Sequence, residues 1–211
     1  MRVLGSLLFI GLFLAGCSDL ETVKNKDEEG NLVEQFTRRK ADYAREGLYQ
    51  KFYPSGKLQE QANFHNDTLE GERRLFYENG QVQIVEQYVD GQFHGPYRTF
   101  YENGQADVEG EYVDNSMQGV WKRHYENGQT MEEVQFVDNQ ENGPFVEYYE
   151  NGKLKAKGNF REGDNEDGLL ELYDESGELE RKMECRMGVC RTIWTREEGD
   201  ITPAPFPGDS E

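Results

Sequence analysis

Apolar residues along this chain gather in short runs that recur at one interval, and a polar turn carrying glycine follows each run. Phe76-Tyr77-Glu78-Asn79-Gly80 and Phe100-Tyr101-Glu102-Asn103-Gly104 are the same five residues. His124-Tyr125-Glu126-Asn127-Gly128 and Tyr148-Tyr149-Glu150-Asn151-Gly152 differ from them at one position. Phe52-Tyr53-Pro54-Ser55-Gly56 and Tyr173-Asp174-Glu175-Ser176-Gly177 are looser copies. The turn glycines Gly56, Gly80, Gly104, Gly128, Gly152 and Gly177 lie 24, 24, 24, 24 and 25 residues apart. Gly47, Gly71, Gly95, Gly119, Gly143 and Gly168 keep the same spacings, and one inserted residue within 162–167 accounts for the last. A fixed period of about 20–50 residues marks a repeat architecture.

The make-up of each copy selects strand over helix. A copy opens on an aromatic-rich run such as Tyr97-Arg98-Thr99-Phe100-Tyr101, and aromatic and β-branched residues suit a pleated surface. Asn-Gly follows and accepts the positive φ of a tight hairpin turn. A second run, such as Val82-Gln83-Ile84-Val85-Glu86-Gln87-Tyr88, ends at Phe64, Tyr88, Tyr112, Phe136, Phe160 or Cys185. Polar turns, Asp90-Gly91, Asp114-Asn115 and Asp138-Asn139, lead onward. Each copy therefore reads as one β-hairpin, and a glycine every dozen residues opposes helix. A lone hairpin is marginal in water, so the copies are expected to stack side by side and bury their aromatic positions against one another. Tyr49, Tyr97, Trp121 and Phe145 open the copies, and Arg73 and Leu170 depart from that pattern. Stability should then be a sum of local and nearest-neighbour terms with weak ends.

The phrase Gly-x-aromatic-x-x-aromatic-Tyr-x-Asn-Gly, with a further aromatic some eight residues on, resembles the MORN-repeat variant over residues 22–194. Bacterial members of that family are often catalogued as YwqK-type toxin–antitoxin antitoxins. The resemblance implies an all-β fold: an elongated, single-layer antiparallel meander of tandem hairpins without a closed globular core. It also implies protein or lipid binding and no established catalytic residues.

The segments flanking the repeats read differently. Residues 1–16 resemble a secretory signal: Arg2 is followed by thirteen residues, 3–15, too short an apolar stretch to span a bilayer. Leu14-Ala15-Gly16-Cys17 resembles a bacterial lipobox, which would make Cys17 a lipidated N-terminus; an ordinary cleaved signal with an incidental cysteine is the alternative. Ser18, in place of aspartate, favours the outer membrane of a Gram-negative cell by resemblance to lipoprotein sorting. Residues 17–21 read as a tether and 22–46 as a degenerate first hairpin holding Arg38-Arg39-Lys40, which is either a solvated loop or a contact for anionic headgroups. Repeats start at 47, 71, 95, 119, 143 and 168, and Thr192-Ile193-Trp194 reads as a capping strand. Residues 196–211, with Pro203, Pro205 and Pro207 and acidic ends, are expected to be disordered and outside any sheet.

Charge and composition narrow the chemistry. With 23 basic and 42 acidic residues the net charge is −19, which argues against nucleic acid and against broad adhesion to anionic lipid. Cys185 and Cys190 are expected to form a structural disulfide in an oxidising compartment. His65, His94 and His124 fall at three different phases of the repeat and make no common ligand set. Asp164-Asn165-Glu166-Asp167-Gly168 reads as a turn, because Gly163 stands where a calcium loop needs its first acidic ligand. No metal, cofactor or catalytic group is assigned. Tyr77, Tyr101, Tyr125 and Tyr149 should form a ladder one repeat apart, either as a partner-binding groove or packed on adjacent strands. The leading expectation is a membrane-anchored, non-catalytic protein-binding or scaffold module of the cell envelope. An antitoxin or immunity protein that caps a toxin is the alternative, and a carboxylate-dependent enzyme is the weaker one.

Overall fold

The structure, a computed structural model, describes residues 19–209. The signal segment, Cys17 and Ser18 lie outside the described residues. Within them every regular element is a strand, and all the strands belong to one sheet. Leu20–Lys26 pairs with Leu32–Arg39, the irregular first hairpin. The repeats follow as Arg45–Phe52 with Leu58–His65, Gly71–Phe76 with Val82–Val89, Gly95–Phe100 with Ala106–Val113, Ser116–His124 with Thr130–Val137, Gln140–Tyr148 with Leu154–Arg161, and Gly168–Tyr173 with Leu179–Arg186. Every hairpin also pairs antiparallel with the next, so the described residues run as one open meander that does not close on itself.

Two kinds of turn alternate along the edges. The two-residue turn with both φ values positive stands between repeats: Asp114 and Asn115 have φ of 49° and 66°, and Asp138 and Asn139 of 50° and 66°. At the Asn-Gly end only the glycine is left-handed, for example Gly80 at 94°. Tyr77 N donates to Gln81 O, Gly80 N donates to Tyr77 O, and the register shifts beside Phe76. This is the longer turn with a glycine bulge, and Asn79 serves it by side chain: Oδ1 accepts from Gln81 N at 2.8 Å.

Alternation along the strands sorts side chains onto two faces. On one face the opposed residues run Phe36, Tyr49 and Ala62, then Arg73 with Glu86, Tyr97 with Gly110, and Trp121, Val134, Phe145 and Gly158 in succession. Large residues alternate with small ones, so rings lie over the neighbouring strand. Gly110 shows the need for this, because a Cβ there would sit 2.1 Å from the indole of Trp121. Val134, Phe145, Ala156, Leu170 and Cys185 make the main buried cluster. No large side chain among the described residues is wholly buried, as a single layer requires.

The C-terminal segment departs from expectation. Gly199–Asp200 pairs with Trp194 and Thr195, and residues 201–209 fold back on the last hairpin and do not hang free of it. Phe206, 4% exposed, lies between the guanidinium groups of Arg186 and Arg191, 4.3 and 3.9 Å from its ring centre. Arg186 pairs with Asp209 at 2.8 Å and Arg191 donates to Ala204 O at 2.8 Å. Prolines keep the segment out of the ladder, but one aromatic ring and two arginines hold it without a ladder. A disulfide joins Cys185 and Cys190, which face each other across this hairpin.

Candidate binding face

The tyrosine ladder is present, and its polar ends are committed to the framework. Tyr77, Tyr101, Tyr125 and Tyr149 donate their hydroxyls to Phe100 O, His124 O, Tyr148 O and Tyr173 O at 2.7, 2.6, 2.9 and 2.8 Å. Tyr53 does the same to Phe76 O. Asn79, Asn103, Asn127 and Asn151 donate to the backbone of the following turn at 2.9–3.1 Å. Tyr-x-Asn-Gly is thus a stacking device: tyrosine and asparagine reach into the next copy, and glycine takes the left-handed corner. The rings stay half-buried, and Tyr125 and Tyr149 line a shallow depression with Glu150 and Glu175.

The face of alternating large and small residues is the broader surface. Tyr88, Phe93, Tyr112, Tyr97, Trp121 and Phe136 form an unbroken chain of ring contacts, with centroids 4.6–6.1 Å apart. Phe145 stacks on Phe160 at 4.1 Å. The chain of rings has a charged counterpart where the repeat pattern breaks. Arg73 stands in the phase of Tyr49, Tyr97 and Trp121, and Glu86 in the phase of Ala62, Gly110 and Val134. The two substitutions answer each other: Arg73 bonds Glu60 at 2.7 Å and Glu86 at 2.8 Å, and Tyr88 donates to Glu86 at 3.1 Å. Burial, then the Glu86 carboxylate, pushes the Tyr88 phenol up to about 12.

Two cavities open on this face. The first, about 160 Å³, is lined by Val108, Met117, Trp121, Phe136, Glu132 and Glu141 among others. The second, about 270 Å³, lies one repeat on, among Phe145, Leu170, Leu172, Glu147 and Glu166. Glu132 directly opposes Glu147 across the strands. Burial first, and the Glu147 carboxylate second, hold Glu132 above the usual carboxylate range. Glu141 is raised by burial and then by Glu132. Trp121 lines the first cavity, and its indole N–H is buried and has no hydrogen-bond partner among the described residues.

The opposite face neutralises itself. Arg98 pairs with Glu109, Lys122 with Glu133, and Lys157 and Lys182 with Glu171, each across adjacent strands. The basic trio is also engaged: Arg38 pairs with Glu21 at 2.8 Å and Arg39 with Asp42 at 2.7 Å. Each histidine meets its own acid, His65 with Glu46, His94 with Asp114 and His124 with Glu109. Asn165–Glu166 is a short strand on Phe160 and Arg161, so that segment is the inter-repeat turn. Among the described residues no three metal-binding side chains are grouped to hold an ion. Sequence reasoning did not single out Gly110, Gly158, Glu132, Glu141 or Phe206. For the two glycines a signal existed, since they break the second run at alternate copies.

No curated protein matches the chain. The family described as the MORN repeat variant matches at residues 45–66, 69–90, 93–114, 117–138 and 141–162. These matches are in tandem and in phase with the hairpins, and the copy from Gly168 is a sixth hairpin beyond them. Repeats of this kind suggest a protein- or membrane-binding module. With more than half of its length matched in this way, the chain belongs to the MORN repeat variant family.

Proposed function

We propose that this chain is a non-catalytic protein-binding module of the cell envelope, held at the membrane by lipid on Cys17, and that the aromatic face receives the partner. One observation carries the choice of face. The rings from Tyr88 to Phe136 run continuously across several repeats, on a sheet that no second layer of the described chain covers. Contact areas built from Tyr, Trp and Phe are the usual energetic centre of protein interfaces. On the opposite face the exposed Leu48, Val120 and Leu169 stand singly among charges that pair with one another.

Two measurements test the reading. Cys17→Ala should move the protein out of the membrane fraction, and unchanged retention would refute the anchor. Proximity crosslinking in intact cells from a photoreactive residue at position 97 should capture a protein, while the same probe at position 133, on the opposite face, should not. Equal capture from both faces would refute the assignment of the face. If deleting the gene arrests growth and removing a toxic neighbour restores it, an immunity role replaces the scaffold role.

A further inference from the structure

The two cavities on the aromatic face share two lining positions one repeat apart. Trp121 and Phe145 are 24 residues apart, and Glu141 and Glu166 are 25 apart across the one-residue insertion. In each cavity an aromatic wall meets a carboxylate. Equivalent points in successive repeats are separated by two strands, about 9.6 Å. A polyproline-II chain rises about 3.1 Å per residue with three residues per turn, so it presents one side chain on the same side every ~9.3 Å. The match of these two lengths selects the guest's conformation and its periodicity.

Charge selects the side chain. Of the acids around the cavities, Glu147 is paired with Lys155 at 2.7 Å, whereas Glu132 and Glu141 have no ion pair among the described residues, although Arg123 and Lys155 attract Glu132 from farther off. Arg123 opposes Glu132 in register without a hydrogen bond to it. Lysine and arginine carry an apolar stem for the ring wall and a charged head for the carboxylate.

We propose that the aromatic face binds an extended polyproline-II segment of a partner protein with a basic residue at every third position, consecutive basic side chains entering the Trp121–Glu141 and Phe145–Glu166 cavities. This rests on the protein-binding reading above and adds the chemistry of the partner. The test uses full-length protein in detergent and fluorescent Pro/Ala-rich peptides of one length and one lysine content. Lysine is placed at every second, every third or every fourth position. The every-third peptide should bind about tenfold more tightly than its isomers at the same salt concentration. The double variant Glu141→Gln, Glu166→Gln should reduce it to the isomers' level. Equal affinity for the three spacings would overturn the proposal, as would a preference that survives the double substitution. The spacing series needs no variant, so it decides even if the double variant folds poorly. If no peptide binds but crosslinking still captures a protein from this face, the proposed guest is wrong and the binding module stands.

Discussion

Replacing Gly110 by alanine puts a methyl group where the Trp121 ring lies. The added carbon would be 2.1, 2.3 and 2.6 Å from three atoms of the indole. Ordinary carbon contact is near 3.6 Å, so the ring must retreat by about 1.5 Å or leave. Trp121 is 7% exposed, and its burial depends on lying flat over this glycine. A buried tryptophan removes roughly 150–250 Å² from water, worth about 4–6 kcal/mol at full value. Losing about half of that gives an expected destabilisation of ~2–3 kcal/mol. Gly110 has no left-handed φ, and alanine in an ordinary strand would gain about 0.5–1 kcal/mol over glycine, so the steric effect sets the sign. Gly158 supplies the control. A methyl there would meet Phe145 at 2.9 Å, a contact that a small ring shift relieves, so Gly158→Ala should cost much less. Urea unfolding followed by tryptophan emission, with Trp194→Phe as background, reads both stability and the exposure of the indole. Trp121→Leu, which imitates Leu170, should make Gly110→Ala almost neutral; this arm keeps Trp194 and is followed by circular dichroism. The reasoning fails if Gly110→Ala is as stable as its parent, if it matches Gly158→Ala, or if Trp121→Leu does not absorb its effect.

Arg73→Ala should destabilise by about 3 kcal/mol, because it leaves Glu86 buried and unpaired; Arg73→Tyr with Glu86→Ala, the pattern of the neighbouring repeats, should recover most of that in the same urea assay. Glu132→Gln should raise stability at pH 7. The folded-state pKa of Glu132 is raised, so its contribution is most favourable below the ordinary value of about 4.3 and is lost as pH rises through the folded pKa. The gain from the substitution should therefore vanish below about pH 4 in thermal melts, and a gain that persisted there would contradict the burial account. Tyr101→Phe should cost about 1 kcal/mol, the hydroxyl bond to His124 O, and leave partner capture intact; lost capture at unchanged stability would make the ladder a contact surface after all. Phe206→Ala should release residues 201–209 to limited proteolysis with the repeats still protected, and an unchanged cleavage pattern would mean that the ring does not hold the segment.

The period of the repeat, the hairpin in each copy and the sequential pairing were all legible from residues alone. They depend on local chemistry, glycine at fixed corners and aromatic runs of strand length, and local chemistry repeats wherever the letters repeat. Which turn is which was not legible. Asn-Gly suits a two-residue turn by preference, but the stacking of one turn's tyrosine and asparagine on the next copy holds the longer form, and that contact spans 23 residues. Separation along the chain also hid the role of the tyrosines, the Arg73 and Glu86 exchange across 13 residues, and the fit of Trp121 over Gly110 across 11: each joins positions in different strands. The tail shows the limit from the other side. Its prolines do exclude it from the ladder, as composition says, but composition is silent on where a single ring can rest. Sequence by itself determined the unit and its order of assembly, because both follow from short-range preference. Only tertiary structure decided which face carries acid without an ion pair beside partly buried rings, because that depends on which side chains meet across strands and cancel.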